Sequence, residues 1–357
     1  VKLAHIASDV ANKILVKLAA SFSIEHQEVF ITTSIGIAIT TRERPADSQT
    51  LLKQADIALY RAKSEGRNNF QYYSSEMEQE TKDRLYLGNS LHRALKRGEF
   101  EIFYQLQAAL ASQSIVGSEA LLRWRHTDRG LLSSAEFIPL LEETGLISPV
   151  SRWLIKQACH DHQGWIEKGL ISQDSHISVN LAPRQLREPS IVADFEQTLS
   201  DTGLSGANLV VEITESALLE ESKTTTDILS QLKQIGIRIA LDDFGTGYSS
   251  LTYLKRFPID YLKIDQTFVR DILKNTNDKA ITEAIIKLAE SMGLTVIAEG
   301  VESLEILALL EELGCPCYQG YLLNKPCNSK DTQTLLESLQ KDPIILPFTQ
   351  PQPQSNR

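Results

Sequence analysis

At 357 residues, 42% of them hydrophobic, the chain can build one large domain and part of a second. Its 36 lysines and arginines against 46 aspartates and glutamates give a formal charge of −10. That balance argues against wrapping a nucleic-acid polymer but allows a small anion held by bound cations.

The four cysteines, at 159, 315, 317 and 327, lack the paired spacing of a structural metal site. They are expected to be reduced thiols of a cytoplasmic protein. No apolar run reaches the ~18–20 residues that span a bilayer, so no membrane contact is expected within the chain. Val1 does not open a signal peptide, and the first residues have the pattern of a domain interior.

Residues 1–75 form the first block. Apolar positions from Val10 to Ala20 recur at helical spacing, Val29 to Thr40 reads as one strand, and Ser48 to Ser64 as an amphipathic helix ended by Gly66. One strand and two helices are too few for a complete α/β domain. Residues 76–98 are polar and helical, a linker closed by Gly98.

From 99 to 342 strands and helices alternate. The expected strands are Phe100 to Leu110, Ser114 to Trp124, His176 to Leu181, Leu209 to Thr214, Ile237 to Asp243, Ile259 to Asp265, Leu294 to Glu299 and Cys317 to Leu322. Helical patterns lie between them, for instance Ile281, Ala284, Ile285, Leu288, Ala289 and Met292. The fold class is therefore α/β, a TIM-type (β/α)8 barrel. Its first two strands have no helix between them, so the first can run antiparallel. The Pro/Gln-rich tail, 343–357, is expected to be disordered.

Polar residues stand at the strand ends. Glu119 lies in the second strand and Asn180 ends the third. Glu212 and Glu215 close the fourth, and Asp242 and Asp243 the fifth, before a loop containing Gly245 and Gly247. Lys263 lies in the sixth strand, Glu299 ends the seventh and Gln319 lies in the eighth. Buried charges are costly unless paired or bound to metal, and barrel active sites form at this mouth. The donors are hard oxygens without histidine, suited to Mg²⁺ or Mn²⁺ rather than zinc. Two such ions ~3.5–4 Å apart could clamp a phosphodiester and activate a water. Asp242 is the natural bridge, and Lys263 would act on the water or the developing charge. Ca²⁺ is expected to inhibit, because its longer coordination spoils that geometry. His160-Asp161 lacks partner histidines, and Trp153 and Trp165 read as packing.

Two resemblances follow. SIGIA (Ser34 to Ala38) and LLKQADIALYRAKSEGRN (Leu51 to Asn68) resemble the C-terminal part of a GGDEF, or diguanylate cyclase, domain. Its signature hairpin does not occur here, which implies an inert fragment. EALLRW (Glu119 to Trp124), SVNLAPRQL, VEITES, DDFGTGYSSL, LKID, AEGVE and QGY follow in the order of the EAL phosphodiesterases, which hydrolyse cyclic di-GMP to linear pGpG.

The EAL resemblance implies one metal on Glu119, Asn180, Glu212 and Asp242 and a second on Asp242, Asp243 and Glu299. It gives Lys263 and Gln319 the catalytic water, and Gln105, Leu122, Arg123 and Asp265 contacts to substrate. Glu215 would anchor the glycine loop. It also implies a homodimer near that loop, where Tyr253 and Leu254 of a helix from Ser249 to Phe257 could pack on a neighbour. Leu106 and Ser134 stand where prolines are usual, and Pro316 where an aspartate is. A receptor that binds the dinucleotide without cleaving it is the alternative. An enolase-type barrel shares the ligand chemistry but leaves the paired aspartates unexplained.

Overall fold

The computed structural model describes residues 2–24, 27–40, 45–219, 223–246, 254 and 256–341. The end of the glycine loop, Tyr253, most of the helix expected from Ser249 and the 343–357 tail lie outside the described residues. The chain divides into two compact units, Val1–Ser90 and Leu91–Arg357, within the helix Ser75–Arg97.

In the first unit, helix Lys2–Leu18 precedes an antiparallel pair, Phe22–Ile24 with Gln27–Val29. Helix Ser48–Ser64 then links the parallel strands Ile35–Ile37 and Phe70–Tyr72. Asp47 caps it, accepting from the Thr50 amide at 2.7 Å. A Cβ on Gly36 would come 2.0 Å from the Ala55 carbonyl oxygen, so strand and helix meet backbone to backbone. The single strand expected over Val29 to Thr40 is two short ones. Local β-branched preference does not hold a strand without a ladder partner, and Phe70–Tyr72 offers only three residues.

The second unit is a closed barrel. Its strands are β1 (Phe100–Ala109), β2 (Ile115–His126), β3 (His176–Asn180), β4 (Leu209–Thr214), β5 (Arg238–Phe244), β6 (Tyr261–Ile264), β7 (Thr295–Ala298) and β8 (Cys317–Tyr318). From β2 to β8 each strand pairs parallel with the next, while β1 runs antiparallel to both β2 and β8. The β1–β2 connection is too short for a crossover helix, which forces the antiparallel start. Two strands absent from the sequence reading, Gly130–Ser133 and Cys327–Asn328, pair with β2 and β1. β8 is shorter than expected because the chain turns at Gly320, whose added Cβ would strike the Val301 backbone at 2.1 Å.

Tyr104, Leu106 and Trp124 of β1 and β2, with Phe137 and Phe195 of the helices, are fully buried. Burial of each such side chain contributes about 1.5–3 kcal/mol. Trp165 meets Tyr104 edge-on at 4.9 Å, and Asp161 accepts from the Tyr104 hydroxyl at 2.7 Å. These residues are packing, as their spacing predicts. The backbone N–H of Leu106 donates to Asn324 Oδ1 at 2.9 Å, a bond a proline could not make.

Inside the barrel, Val210, Ala240, Tyr261, Ile297 and Cys317 form an apolar floor. Two residues further along the chain from each of these five stand Glu212, Asp242, Lys263, Glu299 and Gln319, the last two just past their strands. Alternation aims residues i and i+2 the same way, so the floor and the polar layer above it come from one pattern.

Candidate active site

Lys263 lies at the centre of the polar layer and is 1% exposed. Its Nζ is 2.6 Å from Glu212 Oε2, 2.7 Å from Glu299 Oε1, 3.2 Å from Asp242 Oδ1 and 3.4 Å from Glu119 Oε2. Asn180 Nδ2 donates to Glu119 Oε1 at 2.8 Å, and Gln319 Nε2 donates to Glu119 Oε2 at 2.7 Å. Five strands, and the residues that directly follow β7 and β8, thus deliver polar side chains to one point.

The paired aspartates need a local device, since neighbours on a regular strand face opposite ways. The β5–β6 register shifts between Leu241 and Phe244, and Asp243 has φ of 54°. This bulge turns Asp243 back toward its neighbour. Asp242, Asp243 and Glu299 each bring an oxygen within 4.8 Å of the others. Beyond the bulge, Gly245 at φ 99° lies against Phe268, and its amide donates to Glu215 Oε2 at 3.5 Å.

Four carboxylates around one ammonium leave a formal charge of 1 − 4 = −3. Burial alone would lower the Lys263 pKa, but Asp242, Glu119, Glu212 and Glu299 raise it well above the usual lysine value. Burial pushes Glu212 well above the carboxylate range and Glu299 to about 8. Asp243 rises to about 6 through burial and the charges of Asp242 and Asp265. Burial works against ionised Glu119 too, yet Lys263 and the two amides bring it below the usual value. Glu212 Oε1 is buried with no hydrogen-bond partner. An excess of buried negative charge, an orphaned carboxylate oxygen and an all-oxygen donor set fit hard divalent cations.

The layer opens into a cavity of about 270 Å³. Gln105 and Arg123 line it, but Leu122 and Asp265 do not. Leu122 is buried on the opposite face of β2 from Glu119 and Arg123; alternation brings Leu121 to the cavity instead. Asp265 caps helix Gln266–Arg270, accepting from the Thr267 amide at 2.9 Å. Leu254, expected on a subunit surface, is 4% exposed and packs within the chain. The sequence reading missed Gln266, Arg270, Glu302 and Tyr321 in the cavity wall. Gln266 and Arg270 stand four apart on a helix directly after LKID, a spacing that puts them on one face.

Residues 88–326 match the family described as EAL domain, and residues 2–69 match the one described as diguanylate cyclase, GGDEF domain. The chain is 37% identical over 323 residues to the bifunctional diguanylate cyclase/cyclic di-GMP phosphodiesterase MucR of Pseudomonas aeruginosa, covering 90% of this chain and 46% of that protein. It is 38% identical over 317 residues to the cyclic di-GMP phosphodiesterase PdeR of Escherichia coli, covering 89% and 47%. The chain thus spans about half the length of these relatives. Among solved structures, the PaMucR phosphodiesterase in complex with c-di-GMP is 37% identical with a TM-score of 0.66, over 68% of this chain and 98% of that one.

Proposed function

The chain belongs to the EAL domain family, and from that premise we propose that it hydrolyses cyclic di-GMP to linear pGpG with divalent metal. The observation that carries the reading is one cluster of Glu119, Asn180, Glu212, Asp242, Asp243, Glu299, Lys263 and Gln319, five of which (Glu119, Asp242, Lys263, Glu299 and Gln319) line the cavity. Glu119, Asn180, Glu212 and Asp242 would hold one Mg²⁺ or Mn²⁺, and Asp242, Asp243 and Glu299 a second. When bound, such ions polarise the phosphodiester and make a water more acidic.

The chain's own residues do the rest. Lys263, kept cationic by its carboxylates, faces the charge that develops on the phosphoryl oxygens. Gln319 orients the water beside Glu119. The water oxygen bonds to phosphorus, the P–O3′ bond breaks, and a proton ends on the departing 3′ oxygen. Gln105 and Arg123 hold the dinucleotide, and Glu215 ties the glycine loop to the fourth strand. The same reading makes the GGDEF fragment inert and the protein a cytoplasmic homodimer.

Incubation of the purified chain with cyclic di-GMP, followed by chromatographic separation of products, tests it. pGpG is expected with Mg²⁺ or Mn²⁺, none after EDTA, and none with Ca²⁺ alone. Tight retention of uncleaved cyclic di-GMP under every metal would replace hydrolysis with a receptor function.

A further inference from the structure

Beneath the polar layer lies a buried row that the chemistry above does not use. β1, β2 and β3 bring Gln107, Gly117 and His176 side by side, with Gln107 opposite Gly117 and Gly117 opposite His176. Gln107 is fully buried and His176 is 3% exposed. A Cβ on Gly117 would come 2.5 Å from His176 Nε2, so the glycine is the gap through which the imidazole reaches across a strand. His176 Nε2 lies 2.8 Å from Gln107 Oε1, and Gln107 Nε2 lies 2.8 Å from Gln319 Oε1.

A glutamine amide can invert at little steric cost, so its neighbours decide which end faces the reaction. Gln319 has two acceptors on one side. Glu119 already receives Asn180 Nδ2 and Lys263 Nζ, and it takes the Gln319 amide at 2.7 Å. Gln105 gives its own NH₂ to the Asn324 carbonyl, which can only accept, and so turns its oxygen to Gln319 Nε2 at 3.0 Å. Gln319 must therefore point its oxygen at Gln107. Gln107 must answer with NH₂ and point its own oxygen at His176, which then needs a proton on Nε2.

We propose that His176, Gln107 and the Gly117 gap are positioning elements: a one-way hydrogen-bond chain that locks the Gln319 amide with its donor end toward the proposed water. The inference rests on the hydrolytic reading above for its consequence, though not for its geometry. Each link donates toward Glu119, and such chains strengthen one another in a water-excluded interior. With Gln107 replaced by an apolar side chain, Gln319 Oε1 loses its donor and the amide is held only by Glu119 and Gln105.

Gln107→Met keeps the volume and removes the link. The expected result is a loss in kcat of about tenfold with a KM within about threefold of the parent, a split that general destabilisation would not give. Gly117→Ala, which displaces the imidazole, should give the same split. Combined with Gln319→Ala, Gln107→Met should cost nothing further, because residues acting through one group are not additive. An unchanged kcat in Gln107→Met, or penalties that multiply in the double variant, would overturn the proposal. A readout independent of turnover separates it from the functional reading. In ¹⁵N spectra of the metal-free parent protein, His176 should be neutral with its proton on Nε2. A proton on Nδ1 would break the chain even if the enzyme is active, whereas an inactive protein with the Nε2 proton would sink only the hydrolytic reading.

Discussion

Among the described residues, Lys263 is the one cation paired with all of Glu119, Glu212, Asp242 and Glu299, which separates its removal from that of any acid around it. In Lys263→Ala, kcat should fall by about 10²-fold or more, as for loss of an electrostatic contact to a transition state, with KM little changed. A raised KM at constant kcat would move the lysine to substrate binding. Asp242 differs in serving both proposed ions. Asp242→Asn should cut turnover on the order of 10²-fold and shift the Mn²⁺ activation curve to higher concentration. Normal metal dependence in that variant would end the bridging assignment. Both residues were legible in the sequence because one polar residue in an apolar strand can be a paired core group, but several at one barrel mouth are not coincidence. Leu122 does not line the cavity because adjacent strand residues face opposite ways, which a motif read as letters does not express.

At the scale of elements, the bulge in β5 does what no regular strand could. Asp243 holds φ of 54°, a conformation that asparagine tolerates and alanine does not. Asp243→Asn and Asp243→Ala should therefore lose activity alike, while urea titration finds the alanine variant less stable by about 1 kcal/mol. Equal stability would mean the bulge carries no strain.

The helix Ile147–Glu167 makes a second prediction. Burial holds its His162 at about 4 and the nearby strand residue His176 at about 3, both down from 6.5. Between pH 6.5 and 4 the unfolded chain binds protons that the folded one refuses, so stability is present above 6.5 and falls on acidification, by about 1.4 kcal/mol per pH unit for each histidine. His162→Gln, which keeps a donor for the Ser175 carbonyl, should flatten that slope between pH 6.5 and 5 in thermal melts. An unaltered slope would mean other groups govern it.

For the whole molecule, the proposed homodimer makes activity depend on concentration. If subunit contacts favour the same glycine-loop arrangement as bound metal, activity per subunit should fall across a dilution series spanning dimer dissociation. Constant activity while mass measurement finds monomer would end that coupling.

The alternation of strands and helices, the antiparallel start and the set of strand-end acids were all determined by the sequence itself. Each rests on local physics: side-chain period, connection length and the cost of burying charge. What only the tertiary structure decided was relational. Whether Val29 to Thr40 is one strand depends on the length of Phe70–Tyr72, and which amide end of Gln319 faces Glu119 depends on Gln107 and on Asn324 through Gln105. That His176 reaches Gln107 at all depends on a glycine in the strand between them. Partners 69 and 212 positions apart in sequence leave no local pattern, because closing the barrel is what makes them neighbours.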